Sequence, residues 1–241
     1  MSLLLWVAFP YVALASLVGG TVWRYRYDRF GWTTRSSELY EKRLLRVASP
    51  LFHYGLLFVI GGHALGLLIP EQWTSLVGSE TTYHAVSLYA GTAAGLAAGA
   101  GLVLLVYRRR RTGPVFAATT RNDKVMYLLL GGALLLGIGV TTIENGLLGG
   151  YDYRQTVSPW FRGIFLLDPR PELMEGAPLL YRFHVVLGFA LIALFPFTRL
   201  IHAFAVPVKY PFRPYIVYRR RTGTAPATRA ARRGWEPVSR D

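Results

Sequence analysis

Residues 3–23, 48–70, 84–107, 125–143 and 179–201 are each apolar enough and long enough to cross a bilayer, which takes about 20 residues at roughly 1.5 Å each. Of the 241 residues, 52% are apolar and only 17% charged, far more apolar content than one soluble core requires. Inside hydrocarbon every backbone N–H and C=O must find a partner within the protein, so spans of this length are read as helices. The expected fold is all-α, an integral membrane bundle of five transmembrane helices over residues 1–208, followed by a basic tail at 209–241. The first span starts at Met1 with no basic residues before it and its charges after it, which reads as an uncleaved signal-anchor.

The formal charge of +14 would suit a nucleic-acid binder, but the placement of the charges excludes that reading. Of the 27 Lys and Arg residues, 23 fall after the first and third spans or from the end of the fifth onward, and only Arg154, Arg162, Arg170 and Arg182 fall on the other side. Basic loops are retained on the cytoplasmic face. The N-terminus is therefore expected outside and the C-terminus inside, with the basic face meeting anionic lipid headgroups or a cytoplasmic partner. Gly91, Gly95 and Gly99 fall four apart on the third span, the small-residue spacing that lets another helix approach closely.

With no cysteine, thiolate metal sites, covalent haem attachment and iron–sulfur clusters held by this chain are excluded, so any redox chemistry must use histidine. Four of the five histidines lie inside spans: His53 and His63 on the second, His184 and His202 on the fifth. Ionisable groups at membrane depth are functional candidates by default. The two spans run in opposite directions, which puts His53 level with His202 near the inner face and His63 level with His184 near the outer. Each pair could clamp a planar haem from both sides. The spacings agree only in part, because ten residues of helix rise ~15 Å and eighteen rise ~27 Å. Either the porphyrin planes or helix axes diverge, or the fifth helix deforms at Pro196.

Two axial histidines leave iron no open position, which favours electron transfer over chemistry at the metal. The haems would be b-type, since the covalent attachment motif is absent. Gly55, Gly62, Gly66 and Gly188 stand within four residues of a candidate ligand and would let the backbone approach a ring, while Arg182 and Arg199 could meet propionates. A lipid-soluble quinol is the expected donor at the outer end. Gly62 and His63, with Tyr83 and His84 at the start of the third span, are the candidate contacts, and Glu80 and Glu144 possible proton exits.

The stretch YRFHVVLGFALIALFPFTRLIHAFAVPVKY at 181–210 and PLFHYGLLFVIGGH at 50–63 resemble the gamma subunit of membrane-bound respiratory nitrate reductase, a dihaem cytochrome b. Weaker likenesses are the R-Y-R-Y-D run from Arg24, the Trp32 to Ser37 region and Ala118-Thr119-Thr120. The resemblance implies that His53 and His202 hold an inner haem b and His63 and His184 an outer one, repeating the depth pairing. It implies menaquinol or ubiquinol as substrate, oxidised near Gly62 and His63. It also implies an iron–sulfur beta subunit and a molybdenum alpha subunit as partners that carry the remaining cofactors and the nitrate chemistry, at the bacterial cytoplasmic membrane. One departure is that a lysine implicated in quinol binding is replaced by Tyr83, beside His84. Two other readings remain at this point: a dihaem subunit of a heterodisulfide- or sulfur-type reductase, and a haem-free membrane scaffold whose histidines only join helices.

Overall fold

The computed structural model describes residues 2–28, 32, 37–38, 40–76 and 78–205. The tail at 209–241, the V-P-V motif at 206–208 and most of the Trp32 to Ser37 region lie outside the described residues. Among those described, all regular structure is helical. The elements are α1 (Phe9–Tyr27), α2 (Arg43–His63), α3 (Glu71–Thr74), α4 (Glu80–Arg111), α5 (Gly113–Ala117), α6 (Arg121–Gly139), α7 (Val157–Phe165), α8 (Glu172–Glu175) and α9 (Leu179–Leu194). Wider π-helical turns precede α1 at Leu4–Ala8 and extend α2 at Ala64–Leu68 and α6 at Val140–Leu147. Five helices are long and apolar enough to cross a membrane: Leu4–Tyr27, Arg43–Leu68, Glu80–Arg111, Arg121–Leu147 and Leu179–Phe197.

Local sequence sets where the spans begin. Ser79 accepts a hydrogen bond from the Thr82 amide at 3.2 Å and starts α4, and Thr120 with Asp123 closes a reciprocal capping box on α6. Glu41 accepts from the Leu44 and Leu45 amides at 2.8 and 3.3 Å and so caps the start of α2.

The closest helix contact is α2 on α4, and glycine makes it possible. A Cβ on Gly55 would stand 2.5 Å from the Ala98 nitrogen, and one on Gly101 would overlap the Phe52 backbone. On another face of α4, Gly91, Gly95 and Gly99 do receive a helix: Ile138 and Thr141 of α6 lie over them. Phe52, Ala98, Leu102, Leu130 and Leu134 fill the space among these three helices. The last helix, α9, packs instead along α1 and α6.

The stretch Glu144 to Pro178, between the fourth and fifth spans, carries α7 and α8 and folds over one end of the bundle. Its contacts answer the π-helical turns, which leave carbonyls out of the usual ladder. Trp160 Nε1 donates to the Trp6 carbonyl at 2.9 Å, the Ser158 hydroxyl to Gly66 at 2.8 Å and Arg162 to Leu67 at 3.0 Å. Trp6, Trp160, Ile164, Met174, Tyr181 and Phe189 are buried around these bonds.

At the opposite end Arg108, 3% exposed, is the joint between α4 and the segment before α2. Its guanidinium donates to the Glu41 carboxylate and carbonyl, both at 2.6 Å, and to the Ser37 carbonyl at 2.8 Å. The Leu44 amide and the Arg108 guanidinium hold the Glu41 carboxyl below its ordinary range. A lowered folded-state pKa contributes stability that is present above the unfolded value and lost as pH falls through the folded one. Glu41→Gln is therefore expected to lower the thermal unfolding midpoint at neutral pH, with the gap from wild type closing as pH drops below the usual carboxylate range. Gly101→Leu forces α2 off α4 and is expected to destabilise by about 1–3 kcal/mol, read as a lower unfolding midpoint in detergent.

Candidate functional site

Although α2 and α9 are each fixed to other helices, they pack on one another very little. The imidazoles reach across the space between them. His63 and His184 face with ring centroids 5.7 Å apart and their Nε2 atoms 3.5 Å apart. His53 and His202 face at the other level with centroids 6.1 Å apart. The depth pairing read from the sequence is thus the pairing found in space.

The other ring nitrogen is occupied in all four. Nδ1 lies 2.7 Å from the Ser49 carbonyl in His53, 2.8 Å from Val59 in His63 and 3.1 Å from Ala133 in His184, and in His202 it meets the Arg199 carbonyl. A carbonyl only accepts, so each Nδ1 carries the proton and each Nε2 is left with a lone pair. At the His63–His184 level two such lone pairs point at one another, an arrangement that repels unless a cation sits between them. A backbone carbonyl on the far nitrogen is the usual partner of a metal-bound histidine. The donor set fits a metal that each pair of imidazoles would hold.

Glycine opens part of the surrounding space. A side chain at Gly62 or Gly188 would meet nothing within 4 Å, as expected for a backbone surface that a flat ring can approach. Gly55 and Gly66 differ from expectation: Gly55 is occupied by α4, and Gly66 lies against Tyr153, so neither faces the imidazoles. Gly137, not singled out from the sequence, leaves room for the His184 ring, whose Cε1 would lie 3.0 Å from an added Cβ.

A break in the last span brings the pairs level. The expected helix over 179–201 stops at Leu194, a 3₁₀ turn runs through Phe195–Phe197, Thr198 is extended, and a second 3₁₀ segment, Arg199–Ala205, carries His202. Pro196 has no N–H and crowds the preceding turn, so the helix cannot continue through it unchanged. The freed carbonyls are taken up by α1 and α6. Ser16 donates to Ala193 at 2.8 Å, Arg24 to Pro196 at 2.8 Å and to Thr198 at 3.3 Å, and Asn122 to Phe197 at 3.2 Å. Gly20, between Ser16 and Arg24 on the same stripe, admits Pro196 itself, whose Cβ would be 2.8 Å from an added side chain. Arg199 holds the final segment through a bidentate pair with buried Asp123 at 2.8 and 2.7 Å.

The remaining candidates occupy the end near His63. Tyr83 shares a hydrogen bond with Tyr153 at 3.0 Å and lies under the Arg154 guanidinium, 4.5 Å from its ring centroid. Burial and the Tyr83 hydroxyl push the Tyr153 phenol well above its ordinary range. Around Arg154 stand Glu80 at 3.0 Å, Asp152 at 3.2 Å and Glu71 at 3.8 Å. A hydrogen bond with Glu80, followed by burial, raises the Glu71 carboxyl. His84 is exposed and faces Gly150, whose φ of +88° forms the turn beneath it. Arg182 donates to the Ala177 and Glu175 carbonyls and so closes the turn before α9.

Such a molecule, with five helices of membrane-spanning length among the described residues and two imidazole pairs between its second and last spans, is a multi-pass membrane protein. Residues 2–221 match the nitrate reductase gamma subunit family, and the chain belongs to that family. It is 47% identical over 220 residues to the nitrate reductase gamma chain of Bacillus subtilis, covering 91% of this chain and 98% of that one. It is 32% identical over 218 residues to the respiratory nitrate reductase 1 gamma chain of Escherichia coli, covering 88% of this chain and 95% of that one. The nitrate reductase-like protein NarX of Mycobacterium tuberculosis is 55% identical over 237 residues, 98% of this chain, which spans only 36% of NarX. The chain is accordingly a multi-pass protein of the bacterial inner membrane.

Removing the charge of buried Asp123 weakens the ion pair that fixes the His202 segment. Asp123→Asn is expected to destabilise by roughly 2–4 kcal/mol, measured as a lower unfolding midpoint, whereas Asn122→Ala, which removes one hydrogen bond to Phe197, lowers it by less.

Proposed function

We propose that the chain is the dihaem cytochrome b of a quinol:nitrate oxidoreductase, taking electrons from quinol at the His63–His184 end and passing them toward an iron–sulfur beta subunit and a molybdenum alpha subunit at the basic end. One observation carries the reading: four imidazoles, each with Nδ1 bonded to a backbone carbonyl, meet as two facing pairs, ring centroids 5.7 and 6.1 Å apart. His53 with His202, and His63 with His184, would each hold one of two b haems. A haem held by two histidines would supply single-electron transfer.

The chain's own residues do the rest. The carbonyls of Ser49, Val59, Ala133 and Arg199 fix each tautomer and make each imidazole a stronger donor. Open space at Gly62 and Gly188 admits flat groups beside the ligands. Quinol, menaquinol or ubiquinol, enters near Gly62 and His63. Its oxidation to quinone releases two protons and two electrons, and exposed His84 is placed to accept a hydroxyl proton at the membrane surface. Tyr83, bonded to Tyr153 and covered by Arg154, serves as a fixed wall of that mouth rather than a base. The excess of basic residues at the opposite end supports this end lying outside and that one in the cytoplasm, with protons released outside while electrons move inward. Arg182, two residues before His184, and Arg199, three before His202, are the candidate cations for propionates, Arg199 while keeping Asp123.

A pyridine haemochrome assay on the purified complex is expected to give two b haems per chain. His53→Ala or His202→Ala should remove one, and His63→Ala or His184→Ala the other, each abolishing quinol-to-nitrate electron transfer while the remaining haem reports an intact fold. The pairing fails if His53→Ala and His184→Ala eliminate the same haem. Colourless protein from cells with ample haem leaves only the scaffold reading.

A further inference from the structure

At the end that carries His63 and His184, three carboxylates among the described residues share one cation. Glu80 of α4, Asp152 and Glu71 of α3 stand 3.0, 3.2 and 3.8 Å from the Arg154 guanidinium, whose side chain is only 9% exposed. One guanidinium offsets one carboxylate, so full ionisation leaves an excess of negative charge in a small space. The way Glu71 is held relieves part of it. Glu71 is hydrogen-bonded to Glu80, and two ionised carboxylates are both acceptors, so that bond requires a proton between them. Glu71 also accepts from the Gln155 side-chain amide. The arrangement is therefore the singly protonated form of the group.

Glu71 is also what ties α3 down. That helix is four residues long and has no buried residue. Among the described residues, every side-chain hydrogen bond or ion pair from α3 to another element is made by Glu71. From Arg154 the contacts continue inward. The guanidinium covers the Tyr83 ring at 4.5 Å, the Tyr83 hydroxyl is bonded to that of Tyr153 at 3.0 Å, and Tyr153 rests on Gly66, four residues beyond Gly62. The other ionisable groups facing this chain are Tyr181, stacked on Tyr153 at 6.3 Å, Glu144 near Tyr181, and His84 across from Gly150. Among the described residues, none of these is bonded to Glu71 or Arg154.

We propose that Glu71 is a positioning residue for the quinol mouth, closing α3 onto Arg154 while it shares a proton with Glu80 and releasing α3 when that proton leaves to solvent. The step moves one proton only: an acid bonded to a carboxylate becomes two carboxylates and a proton in water, and their repulsion drives Glu71 from Glu80 and Asp152. The Glu71 carboxyl is raised above its ordinary range, so the stability it contributes is present below the unfolded value and lost as pH rises through the folded one. Closure fixes Arg154 and the two tyrosines against the entry near Gly62 and His63 and so narrows it. That consequence rests on the function proposed above, whereas closure itself does not. Protons released by quinol oxidation at this end thereby restrain further oxidation.

The test follows hydrogen exchange of residues 71–76 in the full chain in detergent from about pH 5 to about pH 8, corrected for intrinsic exchange, and menadiol oxidation by the complex over the same range. Protection in wild type is expected to fall about fivefold as pH rises. Glu71→Gln, which keeps a donor toward Glu80 and has no proton to lose, should hold the low-pH protection throughout, and Glu71→Ala should lose it at every pH. In the complex, the wild-type KM for menadiol is expected to be higher at the acid end, that of Glu71→Gln to stay high at both ends, and the kcat profile to be shared. An unfolding midpoint equal to wild type at low pH verifies that Glu71→Gln folds. Should it not fold, Gln155→Ala, which removes one bond to the same carboxylate, is expected to lower protection while keeping its pH dependence. Protection that does not respond to pH, or that responds equally in Glu71→Gln, overturns the closure. The same KM profile in both proteins overturns the positioning role. Expected exchange in a complex that does not oxidise menadiol supports the closure and overturns the quinol reading instead.

Discussion

The carbonyls released at Pro196 control the geometry of everything between α2 and the last span. An unpaired buried carbonyl costs on the order of 1–3 kcal/mol, and more where water is excluded. A break exposing several of them could not persist without donors placed to meet them. Ser16, Gly20 and Arg24 form one stripe on α1: a hydroxyl for Ala193, space for the proline ring and a guanidinium for Pro196 and Thr198. The first helix contributes no imidazole, yet it is what allows the chain to turn between His184 and His202. Eighteen residues of unbroken helix would carry His202 ~12 Å beyond the level of His53.

The space between α2 and α9 is held open by the rest of the bundle, not by the histidines. Gly55 and Gly101 seat α2 on the backbone of α4, and α9 is fixed along α1 and α6, so neither helix is free to close on the other. With both walls anchored elsewhere, the imidazoles are presented at a fixed separation. Each ring has lost its freedom to turn, because Nδ1 is bonded to a carbonyl of its own turn or of a neighbouring helix. Ligand geometry set in advance reduces the ordering that binding must impose.

Much of this was legible in the sequence, and what was not has a common cause. Apolar runs of span length give five helices with little ambiguity, and two histidines on each of two antiparallel spans give the level pairing by counting. Pro196 was visible as a place where the last helix could deform, but the direction depends on donors more than 170 residues away in α1. Gly55, Gly62 and Gly66 look alike as letters near a histidine, and only packing shows that the first meets α4 and the third meets Tyr153 while Gly62 stays open. Likewise, nothing within the run Arg108 to Arg111 marks Arg108 as the buried one. The stretch Glu144 to Pro178 reads as a polar loop because its helix, α7, is only nine residues long, and its function is to supply donors to π-helical turns that a sequence does not announce.

The charge asymmetry from which an orientation was read also has a structural role, and the two reinforce each other. Helices α1 and α4 and the broken last span all end at the basic end, so their C-terminal carbonyls and the negative ends of their dipoles collect there. Arg24, Arg108 and Arg109 each donate to carbonyls in that region. At the other end Arg162 and Arg182 also serve carbonyls, and Arg154 lies among three carboxylates, so little free positive charge remains. An odd number of spans makes this inequality possible, since three helix C-termini face one side and two the other. Basic residues that favour retention on one side are the same ones that the helix ends on that side require, and a chain inserted the other way round would set those charges against the field of the opposite membrane surface.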